Sequence, residues 1–245
     1  GEELGRPFGE FIGNFTGVTQ TLLYNPYMQE IGFKLNEFKE NIKNYISPLS
    51  ISLYDPLILD LNGNGKIDLT STSNGVHFDH DSDKISHKSS WINKEDGILA
   101  YDRNGNGKID DGGELFGNFT QIKDKDGNQR LAKHGYEALA NLDSNKDGII
   151  DINDKDFNKL RIWQDINKDG VSQINELRTL DELNIKSLNL NYNEVNQDLG
   201  DNNTLTLKGS YTKTNGTAQA MDISQTTKKL IKETIWTTSI ARMLG

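Results

Sequence analysis

Five acidic turns written at nearly the same spacing constrain this chain more than any other feature of its sequence. They read DLNGNGKID from Asp60, DHDSDKIS from Asp79, DRNGNGKID from Asp102, DSNKDGIID from Asp143 and DINKDGVSQINE from Asp165. A twelve-residue calcium loop takes oxygens from positions 1, 3, 5, 7, 9 and 12 and turns sharply at a glycine in position 6. The Asp165 loop meets every requirement. Asp165, Asn167 and Asp169 fall at 1, 3 and 5, Gly170 turns at 6, Val171 offers its carbonyl at 7, and Glu176 supplies the last carboxylate.

The other four depart from that pattern by degrees. Asp143, Asn145, Asp147, Gly148, Ile149 and Asp151 are in register, with Asp154 in place of glutamate at 12. Asp102, Asn104, Asn106, Lys108 and Asp110 are in register too, but Glu114 comes one residue late. Asp60, Asn62, Asn64, Lys66 and Asp68 end on Ser71, so this loop either binds weakly or borrows a carboxylate from elsewhere in the fold. Asp79, Asp81 and Asp83 precede Lys84, which stands where glycine belongs, and binding there is as open as not. Hard oxygen donors point to Ca2+ rather than a transition metal. His77, His80, His87 and His134 form no HExxH pattern, which argues against a zinc hydrolase. Loops rich in Asn and thin in carboxylate imply dissociation constants near ~10⁻⁴–10⁻³ M, suited to extracellular calcium. Without the ion, gathered like charges leave part of the chain loose, which makes calcium a folding trigger.

Charge and composition narrow the rest. The chain carries 36 acidic and 27 basic residues, a formal net charge of −9, which disfavours nucleic acid as a partner. It has no cysteine, so neither disulfides nor thiolate metal sites arise. No run is long enough for a transmembrane segment, and GEELGRPFGEF lacks the build of a signal peptide. The chain is therefore intracellular or a piece of a longer exported protein, and the start without Met favours the piece.

Periodicity predicts an α+β fold, with EF-hand-like calcium loops, short helices and a small antiparallel sheet, preceded by an N-terminal helix. After a Gly- and Thr-rich start, Asn25-Pro26 opens an amphipathic helix through Met28, Ile31, Leu35, Phe38, Ile42 and Ile46, which Pro48 ends. Residues 135–143, 154–165 and 174–184 read as helices, and 185–192 as a strand. Asn215-Gly216 joins two strands as a hairpin, and a last helix follows over 225–244. Trp163 is expected in the core.

Just ahead of the first loop stands Asp55-Pro56. An aspartyl carboxyl can reach its own main-chain carbonyl and close a five-membered anhydride. Proline leaves as a secondary amine, and the residue before it is held extended. Good alignment is worth effective molarities of ~10⁵–10⁸ M. Together with YDPLILDLNGNG, FDHDSD, DGILAYDRNGNGKIDDGGELFGN, AKHGYEALANLDSNKDGIID, LRIWQDINKDGVSQINELRTL and GSYTKTNGTAQAM, this dipeptide resembles the self-processing module of FrpC-type iron-regulated RTX proteins of Gram-negative bacteria, also found in ApxIVA-type toxins. The likeness runs from Tyr54 to Asp222.

That resemblance implies a secreted or cell-surface setting and a calcium-triggered cut of the Asp55-Pro56 bond. Asp55 would be the nucleophilic and acylating residue and Pro56 the leaving amine. The anhydride would then be hydrolysed or captured by a lysine amine as an Asp-Lys isopeptide cross-link. Residues 1–54 would be the upstream segment, 55–222 the module and 223–245 a helical extension. The alternative is a non-catalytic calcium-binding module in which Asp55-Pro56 is only a turn. Tyr54, His134 and Tyr136 are proton donors by residue type alone, and the sequence singles out neither a donor nor an acceptor lysine.

Overall fold

The computed structural model describes residues 53–201 and 203–227. Its strands are β1 (Leu53–Tyr54), β2 (Leu57–Leu59), β3 (Val76–Phe78), β4 (His87–Ser89), β5 (Gly97–Tyr101), β6 (Gln121–Lys123) and β7 (Gln129–Leu131). After helix α1 (Gly135–Ala140) come β8 (Ile149–Ile150), β9 (Leu160–Trp163), β10 (Leu177–Thr179), β11 (Ile185–Gly200), β12 (Asn203–Lys213) and β13 (Ala218–Thr227). A nine-stranded antiparallel sheet runs β10-β9-β5-β2-β13-β12-β11-β8, with β1 also paired to β13. β3–β4 and β6–β7 form two separate hairpins.

Strands β2 and β5 occupy the middle of this sheet and are buried on both faces. Leu57, Leu59 and Leu99 pack into one apolar cluster with Phe116, Leu160 and Ile162. Ile58, Ile98 and Ala100 face the other way, into a cluster with Phe78, Trp91 and Trp163. Alternate side chains of a strand point to opposite faces, so a continuous apolar run is what two-sided burial requires. The LIL and GILA stretches supply it.

The α+β expectation is corrected: the described residues are mostly β, 39% strand against 9% helix. Among the described residues α1 is the one α-helix. Of the internal segments read as helices, 135–143 holds α1, whereas 154–165 folds as a short 3-10 turn and then β9, and 174–184 contains β10. Arg161 stands between apolar Leu160 and Ile162, which fits a strand as well as a helix. Pairing of β9 with both β5 and β10 decides for the strand. The strand over 185–192 and the hairpin at Asn215-Gly216 are present as β11, β12 and β13. The amphipathic helix expected from Asn25 lies outside the described residues. So does the expected last helix beyond Thr227, its first residues, 225–227, being the end of β13.

Candidate metal loops beside a buried aspartyl-proline bond

All five acidic turns fold alike. The first aspartate accepts a hydrogen bond from the sixth residue's main-chain N–H in each: Asp60 from Gly65 at 2.7 Å, Asp79 from Lys84 at 2.8 Å, Asp102 from Gly107 at 2.8 Å, Asp143 from Gly148 at 3.0 Å and Asp165 from Gly170 at 2.9 Å. The fifth residue accepts from the seventh in the same way. Asn64, Asp83, Asn106, Asp147 and Asp169 hold the N–H groups of Lys66, Ile85, Lys108, Ile149 and Val171. Third-position Asn62, Asn104, Asn145 and Asn167 accept from the fifth residue's N–H. Positive φ recurs at the fourth and sixth residues, including Lys84 at +71° where the others have glycine. The lysine therefore adopts the left-handed turn at a steric cost, and the Asp79 loop keeps the common shape.

Around these turns the remaining acids are gathered unevenly. Asp68 accepts from the Asn64 amide, and Asp110 from those of Asn104 and Asn106. Asp81, Asp83 and His87 have donor atoms within 4.8 Å of one another. Asp151 differs, since its carboxylate accepts from the N–H of Asn153 in the turn after the loop.

Closing carboxylates share one pattern, receiving the N–H groups of the second and ninth loop residues. Glu176 accepts from Ile166 and Gln173, Asp154 from Ser144 and Asp151, and Glu114 from Arg103 and Asp110. The one-residue delay before Glu114 is absorbed by the 3-10 turn Gly112–Glu114. The Ser71 hydroxyl, by contrast, meets that of Ser73 and no loop N–H. Its place is taken by a residue that loop spacing does not reveal: Asp96, fully buried, accepts from Asp68 N–H at 2.7 Å. The N–H of Leu61 faces the same carboxyl. Burial, with Asp60 and Asp68 nearby, pushes the Asp96 carboxyl up to about 7. The donor set fits a hard divalent cation, and the buried Asp96 Oδ1, which makes no hydrogen bond of ordinary geometry, is the kind of oxygen such an ion satisfies.

Asp55 and Pro56 form the break between β1 and β2, both of which pair with β13. Proline has no N–H to give a ladder, so a break between strands is where it fits. The Asp55 side chain is 2% exposed. Oδ1 accepts from the N–H of Asn118 at 2.5 Å, and Oδ2 is buried without a hydrogen bond. Burial pushes this carboxyl up to about 7, partly offset by the Asn118 N–H. Gly117 lets the wall come close, for a Cβ there would stand 3.1 Å from Asp55 Oδ1 and 3.5 Å from its carbonyl carbon. Downstream, Leu57 N–H donates to Phe116 O at 2.9 Å and fixes the chain after the proline.

An aromatic cluster joins this bond to the most complete loop. Tyr54 stacks on His80 at 4.0 Å, Phe78 meets both His80 and Trp91, and Trp91 Nε1 donates to Asp165 Oδ2 at 2.7 Å. Trp163 Nε1 donates to Glu176, so this core residue also braces a loop carboxylate. Of the donors considered by type, His134 accepts from Glu137 N–H at the start of α1, and Tyr136 donates to the carbonyl of Met221. His80 instead lines the two small hollows beside Pro56.

Among the described residues no helix is long and apolar enough to cross a membrane. The SPM domain model matches residues 57–224, beginning directly after Pro56. The "Iron-regulated protein FrpA" of Neisseria meningitidis serogroup C is 52% identical over 171 residues, which is 69% of this chain and 15% of that protein. With the domain model matching most of its length and this relative at 52% identity, the chain belongs to the SPM domain family of FrpC-like self-processing modules.

Proposed function

We propose that this chain is a calcium-triggered self-cleaving module of a secreted RTX protein, cutting its own Asp55-Pro56 bond. The observation that carries the reading is Asp55 itself: a buried carboxyl with one oxygen pinned by Asn118 and the other unpartnered, adjoining its own carbonyl and walled by Gly117. A side-chain oxygen attacks the Asp55 carbonyl carbon, the C–N bond to Pro56 breaks, and a five-membered anhydride closes. The departing nitrogen takes up one proton. A carboxyl lifted to about 7 is partly protonated at neutral pH and brings that proton with it. Water then opens the anhydride to two carboxyls. Alternatively a lysine ε-amine attacks it, loses a proton and forms an Asp-Lys isopeptide bond.

Calcium, when bound, would supply the positive charge that holds the loop carboxylates together. Its proposed ligands are Asp60, Asn62, Asn64, Asp68, Asp79, Asp81, Asp83, Asp102, Asn104, Asn106, Asp110, Glu114, Asp143, Asn145, Asp147, Asp151, Asp154, Asp165, Asn167, Asp169 and Glu176. The main-chain carbonyls of Lys66, Lys108, Ile149 and Val171 complete the set. The contacts from Asp165 through Trp91, Phe78 and His80 to Tyr54 give loop order a packed route to the bond. We take 55–222 as the module, 1–54 as the upstream segment freed or transferred by the cut, and 223–245 as an extension. The two residue pairs joining β1 to β13 are few enough for the upstream product to peel away.

Purified chain on a denaturing gel tests this. Added calcium should produce fragments of about residues 1–55 and 56–245 and heavier cross-linked species, and Asp55→Ala should abolish both. A chain that stays whole in millimolar calcium while gaining structure would instead be the non-catalytic binding module.

A further inference from the structure

We propose that Asp96 is the missing carboxylate of the Asp60 loop, making a calcium site shared by two strands and clamping the segment that follows Pro56. The inference rests on the calcium reading above and names a ligand that no loop pattern contains. Leu59 of β2 lies opposite Gly97 of β5, so Asp60 and Asp96 are the next residues outward on two adjacent antiparallel strands. Both are fully buried. Asp60 Oδ1 and Oδ2 are turned into their own loop by Gly63 and Gly65. Asp96 receives the ninth residue's N–H, from Asp68, and faces the second residue's N–H, from Leu61. Glu114, Asp154 and Glu176 stand in that same relation to their loops.

The independent observation is Asp96 Oδ1, buried and making no hydrogen bond of ordinary geometry, with the Asp60 and Asp68 carboxyls close by. A buried polar atom left unsatisfied calls for a partner of opposite character, and a divalent cation supplies it. Beside it, Gly97 lets β9 pack closely, since a Cβ there would stand 2.2 Å from Ile162 Cγ2. An ion held by both strands ties β5 to β2 only a few residues beyond Pro56, whereas each of the other three closing acids stands at the twelfth or thirteenth position of its own loop. The Asp60 site is thus the one whose filling requires β2 and β5 to be already paired.

Calcium counting by native mass spectrometry and calorimetry tests it, using full-length chain carrying Asp55→Ala so that it stays in one piece. Adding Asp96→Asn should remove one bound ion, or weaken one site at least tenfold. Asp60→Asn should remove the same ion, and the pair together should remove no more than either alone. In chelator, Asp96→Asn should melt no lower than its parent, because it takes away one of three crowded charges. An unchanged ion count and affinity, or an equal loss of melting temperature with and without calcium, would overturn the assignment and leave Asp96 as a structural acceptor. Unsubstituted chain that still cuts in calcium, alongside such a variant, leaves the self-cleavage reading standing. A parent that binds none removes both.

Discussion

The Asp165 and Asp60 loops share one backbone shape and live in opposite surroundings. The first carries its own closing glutamate and is bolted into aromatic packing by Trp91 and Trp163. The second ends on a serine, sits at the tip of β2, and meets a carboxylate from the neighbouring strand. Packing governs one end of the molecule. Acids are buried in both places, Asp165 and Glu176 included, but the largest upward shifts gather around β2 and its neighbours: Asp55 and Asp96 are lifted to about 7 and Asp222 to about 6, all chiefly by burial. Local spacing sets the turn, and the surrounding fold decides whether it is a rigid strut or a charge-dependent latch.

The largest expected effect tests whether the β2 end is the pH-sensitive one. Asp55 has its folded pKa raised from 3.8 to about 7, so the folded state holds the proton more tightly. Its contribution is fully present below about pH 4, declines as pH rises toward 7, and is lost above. From Asp55 alone the metal-free chain should lose on the order of 4 kcal/mol across that window. Urea unfolding of Asp55→Asn in chelator should show a correspondingly flatter profile. An unchanged profile would break the contrast between the two ends.

Next comes the packed end. Asp165→Ala strands Trp91 Nε1 and two loop N–H groups in a buried place, with an expected cost of about 3 kcal/mol, measured by denaturant unfolding in chelator. Tryptophan emission should shift to the red as Trp91 loosens.

A smaller pair of effects compares equivalent glycines. Gly170→Ala must adopt φ +72° and also push within 2.8 Å of His77 O, which should cost roughly 2–3 kcal/mol. Gly65→Ala meets nothing within 4 Å and pays only for its φ of +77°, about 1 kcal/mol. Equal shifts in melting temperature would mean that the Asp165 loop is no more embedded than the other. Smallest, Lys84→Gly relieves a left-handed lysine and should stabilise by roughly 0.5–1 kcal/mol, partly offset by glycine's freedom when unfolded.

Much of the site was legible in the residues. The loops announce themselves because the bonds that shape their turns lie within six residues, Asp60 to Gly65 being typical. Asp55-Pro56 and its chemistry are equally local. Glu114 looked displaced because loop spacing takes no account of a 3-10 turn that swallows one residue. Segments 154–165 and 174–184 read as helices because short apolar runs between turns suit either period, and pairing of β9 with β5 and β10 makes them strands. Helical expectations for the flanks fall largely outside the described residues.

The sequence by itself determined where the turns form, which oxygens they carry and which peptide bond stands before them, since those follow from Asx hydrogen bonding, glycine sterics and proline's ring. Only the tertiary structure decided that Asp55 is buried against Asn118, that His80 stacks beside it, and that Asp96 closes the first loop from another strand. Burial and strand pairing join residues dozens of positions apart, and spacing along a chain carries no record of which distant neighbour will exclude water from a carboxyl group.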